Sequence, residues 1–189
     1  MAGPRRKVKF GRSARRPDNP VFGFLRQNVV KDILGFLLLL GFFYFAMAGV
    51  LTLAFRTDSF WMAVISDSMK HDGNDWHEYF IERGYDPSKF PLQGGFERGD
   101  LLIIRGVDSV SEIAIGDVLI IDRGPGVIPL THRVVAMWEK NGMAYIMTKG
   151  DANAGTLSDE RSIKPERILG KVVFVIPKIG HISLLFSGQ

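Results

Sequence analysis

The sequence predicts a mainly β fold, with one N-terminal transmembrane helix followed by a β-rich domain that carries a short helical insertion. Three observations predict it. Residues 33–55, ILGFLLLLGFFYFAMAGVLTLAF, carry no charge. Six later segments of strand length are rich in Val and Ile and are bounded by Gly, Pro, Asp and Asn. Between the first and second of these, residues 71–98 break the β pattern.

The uncharged run is bounded by Asp32 and Arg56. At about 1.5 Å per residue it reaches roughly 35 Å, enough for a hydrocarbon core of ~30 Å. It has no polar stripe, which a buried helix of a soluble domain would show. Ala46-Met47-Ala48 matches a signal-peptide cleavage pattern but lies inside the run, which is also too long for a signal h-region. An uncleaved signal-anchor is expected.

Residues 1–32 hold nine Lys or Arg against Asp18 and Asp32, a net of +7 in a chain whose total is +4. The remainder is therefore near −3. The basic excess belongs to the tail, which argues against a nucleic-acid face on the folded domain. It places the N-terminus in the cytoplasm by the positive-inside rule, and it suits anionic lipid headgroups. The expected organisation is a basic cytoplasmic tail (1–32), a single-pass anchor (33–55) in an export membrane such as the cell membrane, and a domain on its outer face (56–189). The lipid bilayer is thus the first expected partner. There is no cysteine, so thiol nucleophiles, redox pairs, disulfides and thiolate metal sites are excluded.

The expected strands are Trp61–Ile65, Leu101–Ile104, Val118–Ile121, Arg133–Trp138, Ala144–Thr148 and Val172–Ile176. Gly99-Asp100-Leu101-Leu102-Ile103-Ile104 nearly recurs as Gly116-Asp117-Val118-Leu119-Ile120-Ile121. Each Gly-Asp reads as a turn that launches a strand, and the recurrence reads as a hairpin device. Within 71–98, Asp75-x-x-Glu78 is a capping box, Gly84 a helix stop, and Trp76, Tyr79, Phe80 and Arg83 have helical spacing. The aromatic residues suit a small satellite core or a membrane interface. Residues 179–186 are apolar but too short to span, and suit a last strand or an interfacial patch.

Three stretches carry candidate chemistry. They are Ser66-Asp67-Ser68-Met69, Thr131-His132-Arg133, and Lys149-Gly150-Asp151-Ala152-Asn153 followed by Ser158-Asp159-Glu160. A serine hydroxyl needs a base within hydrogen-bond reach, and the base needs a third group to hold its tautomer. Residues distant in sequence, at strand ends, can supply these roles, but composition alone does not join them. His71 adjoins Ser68, yet residues i and i+3 of an extended segment face opposite ways. Lys70 would serve as base only in a Ser-Lys scheme. His71, Asp72, Asp75 and His77 lack the i, i+4 His spacing of a helical metal site. No metal or cofactor is expected.

These boxes resemble those of type I signal peptidases of the archaeal and endoplasmic-reticulum kind. The resemblance covers most of residues 60–186 and runs in order: an anchor, Ser-x-Ser-Met, Gly-Asp-hydrophobic strand starts, His-Arg, Lys-Gly-Asp-x-Asn and Pro177-Lys178-Ile179-Gly180. It implies a signal-peptidase-like β domain and a serine endopeptidase that acts on signal-peptide-bearing preproteins, with association with secretion machinery left open. It implies Ser68 as nucleophile and His132 as general base, where the bacterial branch has a lysine. It implies Ser66 as an oxyanion-hole donor. The family's second acid falls six residues after Asp151, where this chain has Leu157. Asp159 is then expected to orient His132 and Asp151 to support the site, with Glu160 a substitute. Val64, Ile65 and Met69 are expected to line shallow pockets for small side chains. Many relatives pass from the serine box to the Gly-Asp strand in far fewer residues, so the resemblance implies that 71–98 is an insertion. The residues leave two other readings open: a membrane-tethered, non-catalytic binding or assembly module, and a Ser-Lys peptidase in which His132 is structural.

Overall fold

A computed structural model describes residue 3, residues 20–72 and residues 76–180. The basic residues before position 20, Asp75 of the expected capping box and residues 181–186 of the C-terminal apolar piece lie outside the described residues. The chain divides into two compact units, Met1–Met47 and Ala48–Gln189.

The first helix, α1, runs from Pro20 to Phe55, thirteen residues longer at its start than the uncharged run. Its segment Val29–Phe55 is long and apolar enough to cross a membrane, and none of its most apolar window is buried. Arg56 ends it in the left-handed region, at φ 54°. That backbone costs about 1–2 kcal/mol without glycine. The Arg56 guanidinium meets Asp108 and Glu112, and Gly106 N–H donates to the Phe55 carbonyl at 2.7 Å. A side chain at Gly106 would collide with the Arg56 carbonyl, so this close approach needs glycine.

Each of the six expected segments forms a strand: β1 Trp61–Ala63, β2 Leu101–Arg105, β3 Val118–Ile121, β4 Leu130–Lys140, β5 Met143–Lys149 and β6 Ile168–Ile176. They form one sheet in the order β1-β2-β6-β3-β4-β5, antiparallel at every pairing. The expected hairpin between the two Gly-Asp strands is not made. β6 lies between them, because β2 and β3 each pair with it. The Gly-Asp pairs do act as turns. Gly99 and Gly116 have φ of 88° and 93°, and each Asp carboxylate accepts from the backbone N–H three residues earlier.

β3 is buried on both faces. Val118 and Ile120 enter a cluster with Val64, Met69, Phe96, Leu102, Ile104 and Val172. Leu119 and Ile121 enter another with Ile113, Val134, Ile146 and Ile163. Such two-sided burial explains its unbroken VLII run.

The insertion contains α2, Trp76–Ile81, and a 3-10 turn at Pro87–Lys89 capped by Asp86. Gly84, at φ 78°, stops α2 as expected. Trp76 and Phe80 are buried against Val135 of β4, so the aromatic residues form the satellite core.

Candidate functional site

Ser68 follows β1 at a tight turn in which Lys70 N–H donates to the Asp67 carbonyl at 3.0 Å. The turn is tied from two sides. Ala152 N–H donates to the Ser68 carbonyl at 2.9 Å, and Phe96 N–H, at the end of the insertion, donates to the Met69 carbonyl at 3.1 Å. Arg98 N–H reaches the Asp67 carboxylate at 2.8 Å. The serine is thus presented by a loop whose carbonyls are already satisfied.

His132 is the third residue of β4 and lies opposite Leu119 of β3. It is 1 % exposed. Its Nε2 is 3.0 Å from Ser68 Oγ. Its Nδ1 is hydrogen-bonded to the Glu160 carboxylate. Glu160 is wholly buried and also accepts from Thr148 Oγ1 at 2.8 Å and from Leu157 N–H at 2.9 Å. An acid so held orients the imidazole with its Nδ1 proton inward and leaves Nε2 as the acceptor for a serine proton.

The expectation that Asp159 orients His132 is corrected here. Asp159 and Glu160 share the 3-10 turn Ser158–Glu160. With about three residues per turn, neighbours point roughly 120° apart, so only one can face inward. Asp159 faces out and accepts from Arg123 Nε at 2.9 Å. Glu160, mentioned above only as a substitute, holds the buried position. Thr148 was not singled out by the sequence. The available signal was one hydroxyl on the otherwise apolar buried face of β5, where it lies opposite Val134.

Asp151 does not touch the imidazole of His132. It accepts from Arg133 through Nε and Nη2, at 2.8–3.0 Å, and from His71 Nε2 at 2.8 Å. His132 and Arg133 are consecutive in a strand and so project from opposite faces. Burial would raise the Asp151 pKa, but the hydrogen bonds from His71 and Arg133 outweigh it and hold the carboxyl below the usual range. Burial pulls Lys149 below the usual lysine range, against the attraction of Asp151 and Glu160.

Gly150 is needed for space. A Cβ there would lie 2.8 Å from His132 Nε2, 2.8 Å from the Ser68 carbonyl and 2.6 Å from Asn153 Nδ2. Ser66 Oγ is 3.3 Å from Ser68 Oγ and is exposed. Lys70 turns away, to Asp72 at 2.6 Å and Glu97 at 2.9 Å. A cleft of about 460 Å³ opens beside Ser68. Val64, Ile65 and Ser66 line it, with Leu102, Ile128 and Leu130. Met69 does not. It is 1 % exposed in the core, where its sulfur accepts from Asp151 N–H at 3.4 Å.

No protein-family model matches the chain. Curated proteins do. It is 31 % identical over 101 residues to the signal peptidase complex catalytic subunit SEC11 of Colletotrichum graminicola, covering 51 % of this chain and 59 % of that protein. Its homologues are signal peptidase catalytic subunits. The SEC11 proteins of Pyricularia oryzae and Metarhizium robertsii are 30 % and 31 % identical over the same lengths. The chain spans about three-fifths of the length of the SEC11 relatives it matches.

Proposed function

We propose that this chain is a membrane-anchored serine endopeptidase that removes signal peptides from exported preproteins. The observation that carries the reading is the hydrogen-bonded series Ser68 Oγ, His132 Nε2, His132 Nδ1 and Glu160. The similarity to signal peptidase catalytic subunits supports it. So does the apolar helix that precedes the domain in the chain.

Ser68 Oγ attacks the scissile carbonyl as His132 takes its proton at Nε2. The buried Glu160 carboxylate stabilises the imidazolium so formed. The Ser66 hydroxyl and the Ser68 N–H supply the oxyanion hole, which acts only as charge develops on the carbonyl oxygen. His132 then gives its proton to the leaving amine. A water, deprotonated by the same nitrogen, releases the acyl group and restores Ser68. The apolar cleft beside Ser68, with Val64 and Ile65 in its wall, seats small residues next to the scissile bond. Anchoring by residues 33–55, with the tail 1–32 cytoplasmic and the domain 56–189 on the outer face, confines enzyme and membrane-inserted preprotein to one surface. That confinement favours productive encounter. Association with other components of secretion machinery belongs to the same reading.

The test is preprotein cleavage by the full chain purified in detergent. Ser68→Ala and His132→Ala should each lower kcat on the order of 10³-fold or more. Lys70→Ala should keep activity. Full activity in both Ser68→Ala and His132→Ala would overturn the reading, and loss in Lys70→Ala with retention in His132→Ala would favour a Ser-Lys scheme.

A further inference from the structure

The proposed chemistry leaves unused an ionisable side chain, His71, where the insertion meets the site. The side chain of His71 is 13 % exposed. Its Nδ1 is 3.0 Å from the Gln93 carbonyl oxygen, and its Nε2 is 2.8 Å from the Asp151 carboxylate. Both partners are acceptors only. A neutral imidazole carries one N–H and can satisfy one of them, leaving two lone pairs opposed at the other. A protonated Asp151 could in principle donate to the ring, but Arg133 binds this carboxylate through two nitrogens and keeps it ionised. The imidazolium is the ring state that satisfies both contacts. His132 differs, because its Nε2 faces a hydroxyl that can donate.

The surroundings hold charges of both signs. The Trp76 ring is 5.0 Å from the His71 ring and lies 4.3 Å from the Arg133 guanidinium. Lys70, Asp72 and Glu97 line the open groove beside the ring. From β4, Arg133 faces it across Asp151. Gly95 leaves room for the ring, since a Cβ there would be 2.8 Å from His71 Cδ2.

We propose that His71 is a positioning residue of the Ser68 site and works as an imidazolium clamped between the Gln93 carbonyl and the Asp151 carboxylate. This rests on the reading of Ser68 and His132 as the catalytic pair. Asp151 and Ala152 carry the N–H groups that hold Met69 and Ser68. The Asp151 carboxylate fixes Arg133, the neighbour of His132, and Arg133 in turn donates to the Pro91 and Leu92 carbonyls of the insertion at 2.8 and 3.2 Å. A charged His71 therefore makes the insertion part of the frame that sets the Ser68–His132 distance. The two histidines have opposite requirements: His132 must be free of its second proton to act, and His71 must keep it.

The experiment uses the full chain in detergent micelles with 15N-labelled histidine. The His71 ring signals are identified by their loss in His71→Gln. At neutral pH both ring nitrogens should be protonated, and Asp151→Asn should return the ring to one proton. In preprotein cleavage, His71→Ala should lower kcat about tenfold or more with KM changed less than about twofold. His71→Gln, which keeps a donor but cannot titrate, should recover part of kcat and flatten the alkaline limb. A singly protonated ring at neutral pH would overturn the proposal, and so would an unchanged kcat and pH profile in His71→Ala. Full activity in Ser68→Ala would instead sink the catalytic reading, and the ring spectra would still decide the state of His71.

Discussion

Glu160 and His132 are hydrogen-bonded with neither side chain open to solvent, while Asp159, one residue earlier, pairs with Arg123 near the surface. The two carboxylates differ in what their loss would expose. Glu160→Gln keeps the shape but can present its amide to Nδ1, which favours the wrong tautomer. We expect kcat to fall on the order of 10³- to 10⁴-fold. Asp159→Asn removes one half-exposed ion pair and should change kcat less than about threefold, the range of a surface pair. Side-by-side kinetics of the two variants check this, and equal losses would count against the assignment.

Thr148 offers a finer test of the same acid. Its hydroxyl donates to the Glu160 oxygen that faces His132. Thr148→Val is close to isosteric and leaves that oxygen one donor short. A hydrogen bond to a charged group is worth about 1.5–3 kcal/mol. If that stabilisation serves the transition state, kcat should fall about tenfold or more while KM stays near its original value. A rise in KM alone would mean that Thr148 acts on binding.

Gly150→Ala probes the spacing of the pair. The new methyl would intrude between the Ser68 carbonyl and His132 Nε2. The β4 and β5 backbones are fixed by their pairing, so the Ser68 turn or the imidazole must yield. Overpacking of this kind costs about 1–3 kcal/mol of stability. A shift near 1 Å in the reacting groups costs about 100-fold in rate. Activity should therefore fall far more than the urea midpoint indicates. An active, destabilised variant would show that the loop relaxes elsewhere.

The strands were legible because each is local: a Val/Ile-rich run started by Gly-Asp or ended by a turn residue. Their order was not. The insertion of β6 between β2 and β3 depends on contacts some fifty to seventy residues apart, which no local pattern records. The boxes around Ser68 and His132 mark two residues whose side chains meet. Glu160 was not legible, because two adjacent carboxylates look alike until the 3-10 turn assigns one to each side. Met69 looked like pocket wall because it adjoins Ser68, but its side chain belongs to the core cluster of β2 and β3. The spacing of His71 from Ser68 gave no hint that Asp151, eighty residues on, would meet it.

Asp151→Asn tests the Arg133–Asp151 pair apart from the Ser68–His132–Glu160 series. Arg133 is fully buried, and Asp151 is its carboxylate partner. Removing the charge leaves a buried guanidinium uncompensated, which should cost about 3–5 kcal/mol in urea unfolding. The pH dependence has a definite sign. The Asp151 carboxyl sits below the usual range in the folded protein, held there against burial by His71 and Arg133. An unfolded aspartate titrates near 3.9. The pairing therefore stabilises the fold fully above about pH 4, and the contribution is lost as pH falls through the lower folded value. Glu97 and Glu112 are also pulled down, to about 2, by Lys178 and Lys70 and by Arg56 and Arg105, but their carboxylates remain in both proteins. The part of the stability difference between the wild-type chain and Asp151→Asn that comes from the Asp151 charge should thus shrink in acid, below about pH 4. A difference that stays constant down to the acid limit would mean that the lost stability comes from packing around Arg133 and not from the charge of Asp151.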